Sequence, residues 1–485
     1  MGALAVFGGA VPSFVGAVRA FIIALAAGFD MGFIDEEYLL ESEAAVDLYE
    51  SIADLPVVDP HNHIDLAEVV ENEPWDDVWE VEGATDHYVW QLMRKRGVPE
   101  EKVTGDASNR EKWDALAEVA PDFAGNPTYD WLHLDLMRRF GIERPLNADT
   151  ADEIWEETKR QLATDAMRPQ AVLREMNVEV LCSSDDPTSR LEYHERAETE
   201  VEGVDVRPTW RPDRALKVET AAWESFVSEL DAVTDPAVDD FEGFLDALAE
   251  THDYFADRGC VACDIGTGTE PVSRPVSDER AADVYAAARR GESLSDAEIR
   301  DYKAYLLEFV GELNSEAGWT TQLHVGAVRD YRESLYTDLG KNAGGDVSTP
   351  DVDLVDGLDH FFDRFDGETE IVVYVLDPTH YPSLAVVSRA YPNVSVGPAW
   401  WFNDSPMGIE NQLERVASVD LLANHAGMVS DSRKLVSYGS RFEMFRRSLA
   451  NVVGEMVERG RIPADNAERL VEHVAYDRPK ELYGL

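Results

Sequence analysis

Residues 56–63 read PVVDPHNH, a short apolar run that ends in two histidines separated by one residue. An apolar run without strict polar alternation is typical of a strand buried on both faces of a parallel sheet. Seven further runs of this kind follow, most of them ending in polar residues. With 56–61 as the first, they lie at 178–183, 204–210, 259–264, 320–325, 370–376, 394–399 and 421–429.

Helical patterns separate most of these runs, for example at 241–258, 301–317 and 353–365. Eight parallel strands that alternate with helices predict an α/β fold of the (β/α)8, TIM-barrel type. An open doubly wound sheet is the alternative. Residues 64–177 are mostly helical in pattern and rich in tryptophan, so we expect a large helical insertion after the first strand. We therefore expect residues 31–485 to form a single barrel domain.

The first thirty residues, MGALAVFGGAVPSFVGAVRAFIIALAAGFD, differ from the rest in composition. Their apolar run is interrupted by Arg19 and no basic segment precedes it, which argues against a signal peptide or membrane anchor. Met31 then begins a typical acidic helix. We expect residues 1–30 to reflect a mis-called start, with a targeting segment as the alternative.

The chain is strongly acidic, with 96 Asp and Glu against 43 Lys and Arg in 485 residues and a formal net charge of −53. Nucleic acid and anionic membrane are therefore excluded as expected partners, because both would be repelled. Only nine of the cations are lysine. This composition indicates a protein from a very salty cytoplasm, where carboxylate repulsion is screened. Three cysteines, Cys182, Cys260 and Cys263, cannot form a disulfide framework and indicate a reducing compartment.

In a barrel enzyme the active site is built from residues just past the strands. His61 and His63 are two apart at the end of the first strand, so both imidazoles can face the barrel mouth and bind one metal. Asp431 and Arg433 follow the eighth predicted strand with the same spacing, and Asp431 could complete the metal shell and act as a base. Structural hydrogen bonds for the histidines and a helix cap for Asp431 are the alternatives. His324 follows Gln322 on the fifth strand and is a further candidate contact.

Several blocks of this sequence, in this order, resemble the uronate isomerase (glucuronate isomerase) family, an outlying branch of the amidohydrolase superfamily. The two most specific blocks are AWWFNDS at 399–405 and GMVSDSR at 427–433. The others are DPHNHI at 59–64, DHYVWQLMRKRGV at 86–98, GNPTYDWLHLDLMRRFGI at 125–142, SSDDP at 183–187, TWRPD at 209–213 and QLHVGA at 322–327. Together they cover nearly the whole chain from about residue 33.

The resemblance implies a (β/α)8 barrel that binds one divalent metal ion, commonly zinc. It also implies interconversion of D-glucuronate with D-fructuronate and of D-galacturonate with D-tagaturonate. Matched residue by residue, His61, His63 and Asp431 resemble the metal ligands. The residues that resemble the family's substrate site are Arg433, His87, Tyr88, Arg211 and Trp400. We further expect a small-molecule uronate substrate, a homo-oligomer and a cytoplasmic location.

Two positions depart from the family pattern: Ile265 stands where a histidine is usual, and Gln91 where an arginine is common. Isomerisation by proton transfer passes through an enediolate, which needs a base and a stabilised negative charge. We expect Asp431, with Tyr88 nearby, to serve as the base, and Arg433 and Arg211 to bind the oxyanion and the substrate carboxylate. A metal-dependent hydrolase on the same barrel is the main alternative, and a non-catalytic sugar-binding protein is a second.

Overall fold

Seven parallel strands form one curved sheet in the computed structural model, which describes residues 33–485. The expected mis-called start at residues 1–30 lies outside the described residues. The strands are β1 (Val57–Asn62), β2 (Val178–Asp185), β3 (Asp205–Trp210), β4 (Ala262–Gly268), β5 (Thr320–Val325), β8 (Ile371–Val375) and β9 (Val394–Val396). They pair in the order β1-β2-β3-β4-β5-β8-β9. Two short strands, β6 (Ala327–Val328) and β7 (Val347–Ser348), form a separate antiparallel pair.

The predicted α/β barrel class is confirmed, because helices separate the parallel strands as the sequence pattern indicates. The fourth strand lies a few residues later than predicted, at Ala262–Gly268 rather than 259–264. Every residue of β1, β5, β8 and β9 is buried, which explains why these runs lack polar alternation.

The prediction of a regular eighth strand at 421–429 is wrong. Leu422–Asn424 form a short 3-10 helix, and the chain that follows has no regular secondary structure up to residue 433. This segment nevertheless occupies the eighth position. Ala426 N–H donates to the Val396 carbonyl at 3.0 Å, and Asp431 N–H donates to the His61 carbonyl at 3.2 Å. Positive φ angles at Gly427 (+84°) and Asp431 (+46°) interrupt the extended path, so the segment joins β9 to β1 without forming a ladder.

The strands and helices named here all lie in one unit, residues 39–485. Within the described residues, the helix Glu43–Ile52 precedes β1. Between β1 and β2 every regular element is helical. These are the α-helices Leu66–Glu71, Val78–Glu82, His87–Lys95, Asn109–Val119, Pro127–Phe140, Ala151–Leu162 and Pro169–Glu175, with 3-10 turns at Glu100–Lys102, Ala120–Phe123 and Asp165–Met167.

Helices also follow each later strand of the sheet. They are Glu192–Glu200 after β2; Asp213–Leu216, Ala221–Val233 and Phe241–Ala256 after β3; Asp278–Arg289 and Asp296–Ala317 after β4; Glu333–Leu339 and Leu354–Arg364 after β5; Pro378–His380 (3-10) and Tyr381–Ala390 after β8; and Trp401–Asn403 (3-10) and Pro406–Val419 after β9. The chain ends with Ser437–Glu458, Ala464–Glu472, the π-helical turn His473–Asp477 and Arg478–Tyr483. None of the helices within residues 33–485 is long and apolar enough to cross a membrane.

Local sequence explains where individual helices begin and end. For Pro127–Phe140, the Asn126 side chain accepts the backbone N–H of Thr128, and proline occupies the first helical position, where its missing N–H costs nothing. Gly141 ends the helix with a φ of +67°, which glycine adopts without a steric penalty. This helix carries Asp135 into the buried region behind the site described next.

Candidate metal and substrate site

One cavity of about 440 Å³ lies at the carboxyl ends of the strands. All nine site residues predicted from the sequence line it: His61, His63, His87, Tyr88, Arg211, His324, Trp400, Asp431 and Arg433. Two cavities of similar volume, about 500 and 520 Å³, have no histidine among their lining residues in the described part of the chain. The chemistry-bearing residues of the sequence blocks therefore meet in a single place.

Two imidazoles and one carboxylate converge on the floor of this cavity. Asp431 Oδ1 lies 3.3 Å from His61 Nε2 and 3.2 Å from His63 Nε2. Because β1 is extended, His61 and His63 lie on the same side of the strand, and their ring centroids are 5.1 Å apart. The three ligand atoms lie within 4.8 Å of one another, which suits a single cation.

The position of Asp431 is fixed by contacts on both sides. The preceding residue, Ser430, donates its backbone N–H and its hydroxyl to the two carboxylate oxygens of buried Asp59, at 2.9 and 2.5 Å. Trp400 Nε1 donates to Asp431 Oδ2 at 2.6 Å. Asp431 is not a helix cap: the next helix, Ser437–Glu458, has Val436 at its N-cap position and no side-chain cap. The capping alternative is therefore wrong.

Asp264 on β4 is a fully buried carboxylate that contacts three residues of the cavity lining, and no motif in the sequence singles it out. Its Oδ1 lies 2.8 Å from His324 Nδ1, and its Oδ2 lies 2.9 Å from a guanidinium nitrogen of Arg211 and 3.6 Å from His61 Nδ1. Ser184 also donates its hydroxyl to Asp264 Oδ2 at 2.8 Å. Burial alone would raise the pKa of Asp264, but Arg211, His61 and His324 hold it well below its ordinary value.

The donor set fits a divalent metal. His61, His63 and Asp431 offer three ligand atoms with an open side toward the cavity, the arrangement of catalytic zinc sites. With Nε2 of His61 directed at the candidate metal position, Nδ1 of the same ring faces Asp264. A carboxylate behind a histidine ligand commonly orients the ring of that ligand in metal sites. His61, Asp264 and His324 form a second group of possible ligands, and within residues 33–485 His324 Nε2 is buried without a hydrogen-bond partner. Arg211 already neutralises Asp264, so the first group is the better cation site.

Five cationic side chains line the cavity in a chain whose net charge is −53. They are Arg211, Lys217, Arg329, Lys341 and Arg433. Asp213 lies 3.5 Å from Arg211 and 3.0 Å from Lys217, and Asp346 lies 3.2 Å from Arg329. Within the described residues, Arg433 and Lys341 have no carboxylate within 4.0 Å. Their charges are therefore available to an anionic ligand.

The protonation states follow from burial and from these charges. Burial opposes ionisation of Asp431, but the contacts with His61 and His63 hold its pKa well below its usual value. Burial, together with Arg433, lowers the pKa of His87 to about 4. Burial also raises the pKa of Tyr88 above its ordinary value. At neutral pH the cavity thus presents a carboxylate, a neutral imidazole and a protonated phenol.

The two departures from the family pattern lie outside the cavity lining. Ile265 is fully buried and, as the residue after Asp264 on β4, faces the opposite side of the strand. Gln91 donates from its side-chain amide to the carbonyl of Gly344 at 3.0 Å. Neither position contributes a side chain to the cavity.

The sequence patterns did not single out several further residues that line the cavity, among them Asp213, Lys217, Arg329, Lys341 and Trp401, nor Asp264, which lies behind the lining residues Arg211 and His324. Asp264 carries a usable signal, because it is a lone carboxylate inside an otherwise apolar strand. Arg329 and Lys341 lie between β5 and β8, in the polar excursion at 327–348 that includes β6 and β7. No spacing rule places such residues in the mouth of the barrel.

The sequence is similar to known proteins over nearly its whole length. A family model described as glucuronate isomerase matches residues 31–483. A uronate isomerase of Thermotoga neapolitana is 54% identical over 451 residues, which cover 93% of this chain and 99% of the relative.

Solved structures agree with the sequence comparisons. A crystal structure of uronate isomerase from Thermotoga maritima has 54% sequence identity and a TM-score of 0.91, covering 93% of this chain and 99% of that one. Glucuronate isomerase from Caulobacter crescentus has 27% identity and a TM-score of 0.89, covering 93% and 97%. The chain therefore belongs to the glucuronate isomerase family of isomerases.

Proposed function

We propose that this protein interconverts D-glucuronate with D-fructuronate, and D-galacturonate with D-tagaturonate. The observation that carries the proposal is the convergence of His61, His63, Asp431 and Arg433 in one cavity. Its volume of about 440 Å³ lies in the range typical of small-molecule sites. Family membership supports the same substrate class.

The cationic wall of the cavity suits the carboxylate that distinguishes a uronate from a neutral sugar. Arg433 is only partly exposed, and its guanidinium can pair bidentately with a carboxylate. Ion pairs with Asp264 and Asp213 hold the guanidinium of Arg211 in one orientation. We assign Arg433, with Arg211 behind it, to the negatively charged parts of the substrate. Trp400 and His324 complete the apolar and polar sides of this binding site.

Asp431 is the proposed base. Its Oδ1 faces the two histidines, whereas Oδ2 is oriented by Trp400 and retains a further lone pair. In the aldose-to-ketose direction the carboxylate takes the proton from C2 and returns it to C1. The hydroxyl proton on O2 moves to O1 in the same conversion, so atoms and charge balance. Tyr88, protonated at neutral pH, and neutral His87 are suited to donate hydrogen bonds to the enediolate oxygens.

We assign one divalent metal ion, with zinc as the expected metal, to His61, His63 and Asp431. When bound, such an ion supplies Lewis-acid stabilisation to an oxyanion. The protein's contribution is to hold the three ligands in place, with Asp264 orienting His61 and Ser430 anchoring the Asp431 segment.

A metal-dependent hydrolase is the second candidate, because three ligands with an open side could also hold a hydrolytic water. We further propose that the protein acts in the cytoplasm as a homo-oligomer on a free uronate, with no nucleic-acid or membrane partner. Three buried free cysteines and the net charge of −53 support a reducing compartment and an absence of polyanionic partners. Light scattering of the purified protein tests the oligomeric state.

The activity is tested by incubating metal-loaded protein separately with each uronate and following the ketose by NMR. We expect fructuronate from glucuronate and tagaturonate from galacturonate, with loss of turnover after chelation. Hydrolysis of glucuronide esters and lactones is measured in parallel to test the alternative, a metal-dependent hydrolase. Hydrolysis of these compounds without ketose formation from either uronate would overturn the proposal.

A further inference from the structure

A buried ammonium lies directly behind the proposed active site. Lys434 follows Arg433 in sequence and is only 5% exposed. Its Nζ lies 2.9 Å from Glu82 Oε2, 3.0 Å from Asp135 Oδ2 and 3.6 Å from Asp86 Oδ2. All three carboxylates are buried, so this lysine is the centre of a charged group shielded from water.

The three carboxylates come from three different helices of the insertion between β1 and β2. Glu82 ends helix Val78–Glu82, and Asp135 lies in helix Pro127–Phe140. Asp86 is the N-cap of helix His87–Lys95, where its Oδ1 accepts the backbone N–H groups of Tyr88 at 2.8 Å and Val89 at 3.3 Å. Asp86 therefore contacts Lys434 with one oxygen and the first turn carrying Tyr88 with the other.

Asp135 extends the group to the C-terminal helix. It accepts hydrogen bonds from the hydroxyls of Ser437, at 2.9 Å, and Ser440. Both serines lie in the first turn of Ser437–Glu458, which is separated from the Asp431–Lys434 segment by two residues. The same ammonium thus connects the two walls of the cavity: the segment with Asp431 and Arg433, and the helix with His87 and Tyr88.

If all four side chains of this group were ionised, three carboxylates would face one ammonium and the group would carry a net negative charge. Burial raises the pKa of Glu82 to about 8, so Glu82 holds a proton at neutral pH. A buried charged group of this kind is weak evidence for stability, because desolvation offsets the attraction between its members. It does restrict geometry, because each carboxylate must stay within reach of one Nζ atom.

We propose that Lys434 is a positioning residue that sets the distance between His87 and Tyr88 on one side of the cavity and Asp431 and Arg433 on the other. The proposal rests on the proposed function, since it assigns Lys434 a role in that reaction. Lys434 itself does not line the cavity, so it acts through Asp86 and through the backbone of the Asp431–Lys434 segment.

The first test compares two methionine variants, because methionine keeps the length of the side chain and removes the charge. For Lys434→Met we expect kcat to fall by about 10- to 100-fold, since small misplacements of catalytic groups are costly, with KM within about 3-fold of wild type. Arg138→Met is the matched control. It removes an ion pair with Glu443 (2.8 Å) that joins helix Pro127–Phe140 to helix Ser437–Glu458, the two helices that Asp135 also connects. Arg447 lies 2.9 Å from Glu443 and still balances its charge. We expect it to lower Tm without changing kcat.

A second variant decides the question if Lys434→Met does not fold. Asp86→Asn keeps a good helix cap and loses only the negative charge toward Lys434. We expect a near-normal Tm, a kcat lowered by about 10-fold, and faster amide hydrogen exchange in residues 87–95 alone. Wild-type kcat and unchanged exchange in Asp86→Asn, measured beside a wild-type enzyme that turns over, would overturn the positioning role. Absence of turnover in the wild type would instead contradict the proposed function.

Discussion

Trp400 donates its indole N–H to Oδ2 of Asp431 at 2.6 Å, and the other oxygen of that carboxylate faces His61 and His63. Each oxygen of Asp431 thus has its own set of partners. Trp400 lies after β9 and Asp431 on the segment that closes the sheet, so the contact holds two neighbouring positions of the barrel together. The tryptophan therefore fixes the rotation of the proposed base.

Replacing Trp400 with phenylalanine tests this orientation. Trp400→Phe keeps an aromatic ring against Tyr374 and His324 but removes the donor to Asp431. A hydrogen bond to a charged group contributes about 1.5–3 kcal/mol, so we expect turnover to fall by at least about 10-fold. Trp155→Phe, in the helical insertion, is the control and should leave kcat unchanged. Equal kcat values for wild type and Trp400→Phe would show that the contact has no catalytic role.

Asp431→Asn removes the negative charge at the metal position and the proposed base while keeping the shape of the side chain. We expect turnover to drop by about 10²–10⁴-fold, the range usual for a general base, together with weaker metal retention. Metal content by mass spectrometry, Tm and isomerisation rate should be measured on the same preparation. Asp353→Asn, at the N-cap of helix Leu354–Arg364, is the control for an ordinary capping carboxylate. A fully metallated Asp431→Asn protein with a near-normal rate would be incompatible with the assigned site.

Most of the barrel could be predicted because its strands are continuous apolar runs that end in polar residues. The eighth run, 421–429, is also apolar, but Gly427 and Asp431 adopt positive φ angles and no ladder forms. Sequence spacing does not encode these angles. The histidine pair and Asp431 could be selected as candidates because each stands at or close to the end of an apolar run.

Asp264 and Lys434 were missed for a different physical reason. The role of Asp264 depends on Arg211 and His324, which come from neighbouring strands and cannot be paired from one sequence. Lys434 meets Glu82 and Asp135, which lie about 350 and 300 positions away in the chain. Charges that satisfy one another only in the folded core leave no local periodicity.

The buried Glu82 predicts a specific dependence of stability on pH. Its folded pKa of about 8 lies above the ordinary glutamate value, so the folded protein holds a proton that the unfolded chain releases. This contribution to stability is complete below the unfolded pKa of about 4.3 and is lost as pH rises toward 8. Glu82→Gln keeps a neutral side chain and removes the titration. Wild type should lose stability over this pH range and the variant should not. We therefore expect the difference in Tm, variant minus wild type, to become more positive from pH 5 to pH 8, measured by calorimetry at about 0.15 M salt. A difference in Tm independent of pH would contradict the assigned protonation.

The net charge of −53 predicts a strong salt requirement. At about 1 M salt the Debye length is roughly 3 Å, so repulsion between surface carboxylates is largely screened. We expect Tm and activity to rise as KCl is increased from about 50 mM to about 2 M. Potassium glutamate at equal ionic strength separates screening from a specific effect of chloride. Equal stability at both KCl concentrations would rule out adaptation to a salty cytoplasm.

The most direct test of the account follows solvent deuterium during isomerisation. Wild-type, metal-loaded protein is incubated with D-glucuronate in D2O, and the sugar is analysed by ¹H NMR and mass spectrometry as the reaction approaches equilibrium. Transfer by the Asp431 carboxylate lets the abstracted proton exchange with solvent, so we predict deuterium at C1 of the ketose and, after repeated turnover, at C2 of the aldose. Formation of D-fructuronate without deuterium at carbon would contradict the proton-transfer mechanism, and absence of any ketose would contradict the proposed activity itself.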